Sequence, residues 1–192
     1  MGEKPSHPVA TGPVTPAGAP DPGGPGRRGA NPWGISPRPC PMVELRHELP
    51  GGSHHFDWLL GRDPAGESPL VSFRLERPLR ELLEALSEGQ TADAQQIQDH
   101  RPKYLTYEGP ISADRGHVRR VASGTVHHVE VLDQRGGVVL QIIWHGPGGG
   151  QQRQRVALEP RRDGRWSVRE FDASTTESDA EAGSQWPAAE GR

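Results

Sequence analysis

The chain has 192 residues, enough for one domain, and its 20 prolines and 25 glycines exclude a helical bundle because they would interrupt any long helix. Only 32% of the residues are hydrophobic, so the chain cannot fill a core along its whole length. The formal net charge of −3 neither requires nor excludes a nucleic-acid partner. The longest apolar run, 137–144, is far shorter than the roughly 20 residues of a membrane-spanning helix, so we expect no membrane partner.

The first predicted element is a disordered arm. Residues 1–41 contain 11 prolines and 8 glycines, and such a stretch cannot bury enough apolar surface to offset its ordering entropy. Residues 173–192, rich in alanine, serine and acidic residues, predict a disordered acidic tail, which leaves a folded domain over 42–172. The single cysteine, Cys40, falls in the arm and cannot form an internal disulfide, which fits a cytoplasmic protein; we expect a monomer.

The folded segment is predicted to be mainly β. Short runs rich in β-branched or aromatic residues, bounded by Gly, Pro or Asp, predict strands over 42–47, 55–60, 70–75, 104–107, 117–122, 124–132, 138–144, 155–159 and 166–170. Strands this short and this evenly punctuated are typical of an antiparallel barrel or sandwich. One short covering helix is predicted from the i, i+3, i+4, i+7 spacing of Leu79, Leu82, Leu83 and Leu86.

One candidate metal site involves the first two predicted strands. His55 and Asp57 are two apart on one strand and therefore face the same side, whereas Phe56 and Trp58 face the core. A Pro-Gly-Gly-Ser loop would form a hairpin that places His47 across from His55. Two imidazoles and one carboxylate can bind a divalent metal and leave positions open for water or phosphate. The alternative is a set of ordinary polar residues at a strand end.

A second cluster of polar residues contains His100, which is followed by Tyr104 and then by a basic stretch. Arginine suits phosphate because its planar donors make bidentate contacts. Arg119 and Arg120 would point to opposite faces of a strand, so at most one of them would line a given pocket. The alternative is a set of charged residues on a solvated strand.

Together these segments resemble a known family, the 3′-phosphoesterase module of bacterial DNA ligase D and its stand-alone relatives, over residues 42–172. The matching segments are Arg-His at 46–47, His-Phe-Asp-Trp at 55–58, Ser-Phe-Arg-Leu at 72–75, Asp-His-Arg-Pro-Lys-Tyr at 99–104, Tyr-Glu-Gly-Pro-Ile at 107–111, Gly-Thr at 124–125 and Gly-Arg-Trp-Ser-Val at 164–168. Their order and spacing match the family, apart from a longer loop before residue 55 and an inserted helix.

This resemblance implies a compact β-barrel that uses manganese to remove 3′-phosphates and 3′-terminal ribonucleosides during DNA end repair. It implies His47, His55 and Asp57 as metal ligands, His100 as the catalytic histidine and Tyr104 as a support of the same pocket. The expected partners are DNA 3′ ends, in the form of a primer-template, and a DNA ligase or end-joining factor.

Two positions depart from the family pattern. Leu59 stands where the family carries an arginine that holds the phosphate, and Gln98 stands where the enzymes carry a glutamate. The family's short acid- and Arg-bearing arm also has no match. We expect Arg74, Arg101 or Arg119 to bind phosphate or nucleic acid in place of the missing arginine. The departures keep open a catalytically impaired relative that binds DNA ends or a repair partner, and the residues alone keep open a β-barrel interaction module with no nucleic-acid role.

Overall fold

The computed structural model describes residues 31–132 and 135–172. Residues 1–30 of the predicted arm, 1–41, and the whole predicted tail, 173–192, lie outside the described residues. The described strands and the one helix are β1 (Cys40–Glu48), β2 (His54–Leu60), β3 (Leu70–Leu75), α1 (Leu79–Glu84), β4 (Ala92–His100), β5 (Gly109–Pro110), β6 (His117–Val131), β7 (Val138–His145), β8 (Gln151–Pro160) and β9 (Trp166–Glu170). Two 3₁₀ turns are also present, Pro102–Leu105 and Pro147–Gly149.

The described strands form one antiparallel sheet that closes into a ring. Their spatial order is β1-β2-β3-β4-β9-β8-β7-β6-β5, and β1 also pairs with β6. The predicted fold class, a mainly β antiparallel barrel with one short helix, is confirmed. Within residues 31–132 and 135–172, no helix combines the length and the hydropathy needed to cross a membrane.

Side chains on the two faces of the ring form two apolar layers. The larger layer fills the interior and includes Trp58, Phe73 and Trp144, each at most 1% exposed. The smaller layer lies on the opposite face, because successive residues of a strand point to opposite sides; its buried members are Val43, Leu45, Leu59, Leu70 and Val118. We call it the outer layer. Side chains of the segment 104–111 pack over it, and the candidate site lies on the same face.

Helix α1 packs into the interior. Leu79, Leu82 and Leu83 are buried, which confirms the predicted helical spacing. Glu44 of β1 is 1% exposed and accepts a hydrogen bond from the main-chain N–H of Leu79 at 2.7 Å. Burial raises the pKa of this carboxyl group to about 7, because the charged form loses its hydration.

Two segments near the site differ from the predicted strands. Residues 104–107 do not form a strand: Pro102 lacks a backbone N–H and lies at the start of a 3₁₀ turn instead. Strand β4 escapes sequence prediction because its sequence, Ala-Asp-Ala-Gln-Gln-Ile-Gln-Asp-His, is mostly polar. Only Ala92 and Ala94 of this strand are buried, so it carries little of the hydrophobic signal that marks strands.

The predicted break between the strands 117–122 and 124–132 is also absent. Strand β6 runs without interruption through Gly124. A Cβ atom on this glycine would lie 2.2 Å from the main-chain oxygen of Ile143 on β7. Close approach of two strands, and not a turn, therefore explains the glycine.

Residues 31–41 pack on the barrel and are not part of a disordered arm. Trp33 is 4% exposed, and its ring centroid lies 5.2 Å from that of Phe73 and 4.6 Å from that of Trp166. Cys40 is fully buried in β1. The predicted boundary at residue 41 is therefore wrong for this segment, because one large aromatic side chain buries enough surface to anchor a stretch whose composition indicates disorder.

Candidate metal and phosphate site

The three predicted metal ligands converge where strands β1 and β2 meet in a hairpin. The register pairs His47 of β1 directly with His55 of β2, and Asp57 lies two residues further along the same face. The hairpin loop is tight: the Leu49 N–H donates to the Ser53 carbonyl at 2.9 Å. One ligand atom from each of the three side chains lies within 4.8 Å of the others, so the group could hold a metal ion.

The nitrogen and oxygen atoms of this cluster lie close together, and two of them lack hydrogen-bond partners, as expected of a site that binds a cation. Nδ1 of His47 lies 3.6 Å from Oδ2 of Asp57, and Nε2 of His55 lies 3.4 Å from Oδ1 of the same carboxylate. Asp57 is 3% exposed, and both its Oδ1 and the His55 Nε2 are buried without a hydrogen-bond partner. Buried polar atoms without partners are costly. A divalent metal that accepts lone pairs from both atoms would remove this cost.

The tautomer of His47 leaves one ring nitrogen free to bind a metal. Its Nε2 lies 2.7 Å from the main-chain oxygen of Arg115. A carbonyl oxygen only accepts hydrogen bonds, so Nε2 carries the proton and Nδ1 presents its lone pair toward Asp57. Metal-ligating histidines commonly donate their other ring N–H to such a carbonyl. The three ligand atoms would therefore be Nδ1 of His47, Nε2 of His55 and a carboxylate oxygen of Asp57.

The Arg115 carbonyl is held by an unusual turn. Ala113 and Asp114 both adopt positive φ angles, 64° and 52°, which residues other than glycine seldom do. Gly116 follows with φ 93°, and a Cβ atom on it would lie 1.9 Å from the main-chain oxygen of Glu48. The backbone of the turn is thus pressed against the end of β1, where His47 lies.

His100 ends strand β4 and lies close to the cluster. Its main-chain N–H and its ring Nδ1 lie 3.1 and 2.9 Å from the buried hydroxyl of Ser72, and its ring centroid is 5.3 Å from that of Tyr104. Burial lowers the pKa of both His100 and His55, although the charge of Asp57 acts in the opposite direction. Both imidazoles are therefore neutral at pH 7.

A cleft of about 530 Å³ opens beside the cluster, with His100 in its wall. Four cationic side chains line it: Arg74, Arg101, Lys103 and Arg115. Among the described residues no carboxylate pairs with any of the four, whereas Arg62 pairs with Asp99 and Arg120 pairs with Glu108. Cations that share a cleft without counter-charges favour the binding of an anion, and arginine favours phosphate.

Two of the three cations predicted to bind phosphate lie at this cleft. Arg74 and Arg101 line it, and Arg74 is directly opposite Asp57 in the β2–β3 register. Arg119 is not one of the residues that line the cleft. In the β1–β6 register Arg119 pairs with Arg46, whereas its neighbour Val118 pairs with His47. The side chain of Arg119 therefore points away from the face that carries the cluster.

The departures from the family pattern also have a place in the structure. Leu59 is fully buried in the outer layer and offers no donor, and Gln98 lines the cleft. Sequence reasoning missed Ser72 and the main-chain carbonyl of Arg115 as site groups. Ser72 opens the matched segment 72–75, but its role depends on a strand register that brings the hydroxyl to His100, and Arg115 acts through its backbone. Residue type alone therefore gives neither role, although the glycine after Arg115 marks a tight turn.

Comparison with known proteins adds no family to this picture. No model of a protein family matches the chain, and no curated protein matches it.

Proposed function

We propose that the protein is a metal-dependent phosphoesterase that processes the 3′ ends of DNA, removing a 3′-phosphate or a 3′-ribonucleoside, beside a DNA ligase or end-joining factor. One observation carries the proposal: two imidazoles and a carboxylate, with two buried atoms that have no hydrogen-bond partner, adjoin a cleft whose four cations have no carboxylate partner among the described residues. A group of potential metal ligands next to a cationic cleft suits metal-assisted phosphoester hydrolysis, in which the metal and the cations together stabilise phosphoryl charge. The ordered motifs of the ligase D family support the choice of DNA 3′ ends and of manganese.

The residues of the site would divide the work as follows. His47, His55 and Asp57 would hold a divalent metal, which would supply Lewis acidity toward a phosphoryl oxygen. Arg74 faces the phosphate from β3, next to Asp57, and its two-pronged guanidinium holds the non-bridging oxygens in place of the donor that Leu59 cannot provide.

His100 would move the proton. Because burial lowers its pKa, the imidazole is neutral before reaction and can accept a proton from the attacking water. The 3′-oxygen, which departs on the opposite side of phosphorus, takes its proton from solvent water. The ring of Tyr104, edge-on at 5.3 Å, limits the orientations that this imidazole can adopt.

The proposal is tested with a primer-template that ends in a 3′-phosphate. In the presence of Mn²⁺ the protein should produce a 3′-hydroxyl end, and His55→Ala should abolish the product because it removes one ligand. His54→Ala is the matched control, since His54 is exposed and adjacent on the same strand but lies outside the cluster. Product from the wild-type chain no greater than that from His55→Ala would refute the proposal.

A second function is favoured by one observation, the burial of Leu59 where the family carries its phosphate-binding arginine. The loss of one donor to the transition state costs about 2.7–4 kcal/mol, or 10²–10³ in rate. If Arg74 does not compensate, the chain would bind metal and DNA ends without turnover and would act as a binding module for ends or for a repair partner. Salt-dependent DNA binding without product formation would identify this case.

A further inference from the structure

We propose that Ser72 is a positioning residue that fixes the ring proton of His100 on Nδ1 and so presents Nε2 to the cleft as the proton acceptor. The tautomer follows from hydrogen bonding alone. Its role in hydrolysis rests on the proposed function.

The hydroxyl of Ser72 makes three short polar contacts. Ser72 is fully buried on β3, and its Oγ lies 2.9 Å from the Leu70 carbonyl, 3.1 Å from the main-chain nitrogen of His100 and 2.9 Å from Nδ1 of the same residue. A hydroxyl group offers one proton and two lone pairs. These three contacts therefore use its full capacity.

Each contact has a fixed direction. The Leu70 carbonyl can only accept, so it takes the hydroxyl proton, and the main-chain N–H of His100 can only donate, so it uses one lone pair. The remaining lone pair faces Nδ1, which must therefore carry a proton to complete a hydrogen bond. If the hydroxyl donated to Nδ1 instead, two oxygens 2.9 Å apart would face each other with no proton between them.

Strand register explains why this hydroxyl reaches this histidine. Leu70 pairs with His100, but Ser72 pairs with Ile97, so β4 carries one extra residue across this interval. Such a bulge redirects the side chain beside it. The ring of His100 thereby lies against Ser72 through Nδ1, which leaves Nε2 as the nitrogen free to serve the cleft that His100 lines.

The proton balance of hydrolysis follows from this tautomer. One O–H bond of the attacking water breaks, its proton passes to Nε2 of His100, and its oxygen bonds to phosphorus. The bond from phosphorus to the 3′-oxygen breaks on the opposite side, and that oxygen takes a proton from solvent water to give the 3′-hydroxyl, while Nε2 later releases its proton to solvent. Until that release, the imidazolium is stabilised by its Nδ1–H bond to Ser72, as orienting groups stabilise catalytic histidines elsewhere.

The experiment is ¹⁵N–¹H spectroscopy of the histidine rings in the full chain at a pH where His100 is neutral, with the His100 signals assigned by their absence in His100→Gln. The wild type should show the Nδ1–H tautomer. Ser72→Ala should move the population toward Nε2–H, and Ser72→Thr, which keeps the hydroxyl, should restore Nδ1–H. An Nε2–H tautomer in the wild type would overturn the proposal without reference to any variant.

Kinetics separate this proposal from the proposed function. For 3′-phosphate removal, Ser72→Ala should lower kcat by at least about tenfold with little change in KM, since the substrate-binding cations are untouched. An Nδ1–H tautomer that depends on Ser72 in a chain without hydrolytic activity would uphold the positioning role and refute the proposed function. Hydrolytic activity in the wild type, with an unchanged kcat in Ser72→Ala, would uphold the proposed function and refute the positioning role of Ser72.

Discussion

At the scale of single residues, the cleft is lined by cationic side chains that have no carboxylate partner among the described residues. Arg74 stands directly across from Asp57, lines the cleft and has no carboxylate partner of its own among the described side chains. Other arginines on this protein are paired, such as Arg169 with Glu159 at 3.0 Å. Arg74 is therefore the cation of the cleft that lies directly across the sheet from a residue of the candidate metal-ligand group.

Arg74→Ala should reduce kcat/KM for 3′-phosphate removal by about 10²–10³, the loss typical of one transition-state donor. Arg74→Lys should give an intermediate loss, because an ammonium group keeps the charge without the bidentate geometry. Arg119→Ala removes the same charge outside the cleft lining and is the control. Steady-state kinetics of the three variants check this; an equal loss in Arg119→Ala would show that general charge, and not the Arg74 position, supports the activity.

The convergence of His47, His55 and Asp57 was predictable from the sequence, whereas the groups around them were not. The two-residue spacing of His55 and Asp57 fixes their common face, and a short hairpin loop brings His47 opposite. The Ser72 hydroxyl and the Arg115 carbonyl act through a register shift and a main-chain atom. A sequence pattern reveals neither the register shift that brings the Ser72 hydroxyl to His100 nor the position of a main-chain carbonyl.

At the scale of elements, the turn before β6 supports the cluster through its backbone. Gly116→Ala should lower the Mn²⁺ affinity by about 10- to 100-fold, because the new Cβ would displace the turn and withdraw the Arg115 carbonyl from His47. Gly164→Ala is the matched control: its φ of 78° gives a similar backbone strain, but nothing lies within 4 Å of the new atom. Calorimetric titration checks this, and equal affinity losses in the two variants would contradict it.

The contact between β1 and helix α1 makes stability depend on pH. The pKa of Glu44 is about 7 in the folded chain and about 4.5 in the unfolded chain, so between these values the folded state keeps a proton that the unfolded state has released. Stability should therefore fall as pH rises through this window, by up to roughly 3 kcal/mol.

Glu44→Gln should remove the pH dependence of stability that comes from this carboxyl group. The amide oxygen can still accept a hydrogen bond from the Leu79 N–H, but the amide does not titrate. The measurement is the free energy of unfolding by denaturant at pH 5 and pH 7 for both chains. Subtracting the variant from the wild type cancels the pH effects that the two chains share. A difference that stays constant between the two pH values would contradict the buried, protonated carboxyl group.

The elements themselves were predicted where hydrophobic residues mark them. Helix α1 and strand β3 follow the predicted bounds closely because their apolar spacing is regular. Strand β4 could not be found in this way, since polar side chains dominate it and its pairing to β3 is what makes it a strand. His100 owes its position to that strand, so the sequence alone could not place it against Ser72.

At the scale of the whole molecule, closure of the ring completes the site. Strand β1 pairs with β2 on one side, which supplies His55, and with β6 on the other, which brings the turn that contacts His47. His47 and Arg115 are 68 positions apart in the chain. The regular turns of the sequence predict an antiparallel β class, but the partner of each distant strand is decided by packing that no local pattern records.

The central claim is that His47, His55 and Asp57 together bind the metal of a phosphoesterase. Anomalous diffraction from crystals of the full chain soaked in Mn²⁺ tests the metal site most directly. We expect one strong peak, bonded to Nδ1 of His47, Nε2 of His55 and a carboxylate oxygen of Asp57, and we expect this peak to be lost in Asp57→Ala. Crystals that take up Mn²⁺ elsewhere, or whose peak persists in Asp57→Ala, would contradict the claim.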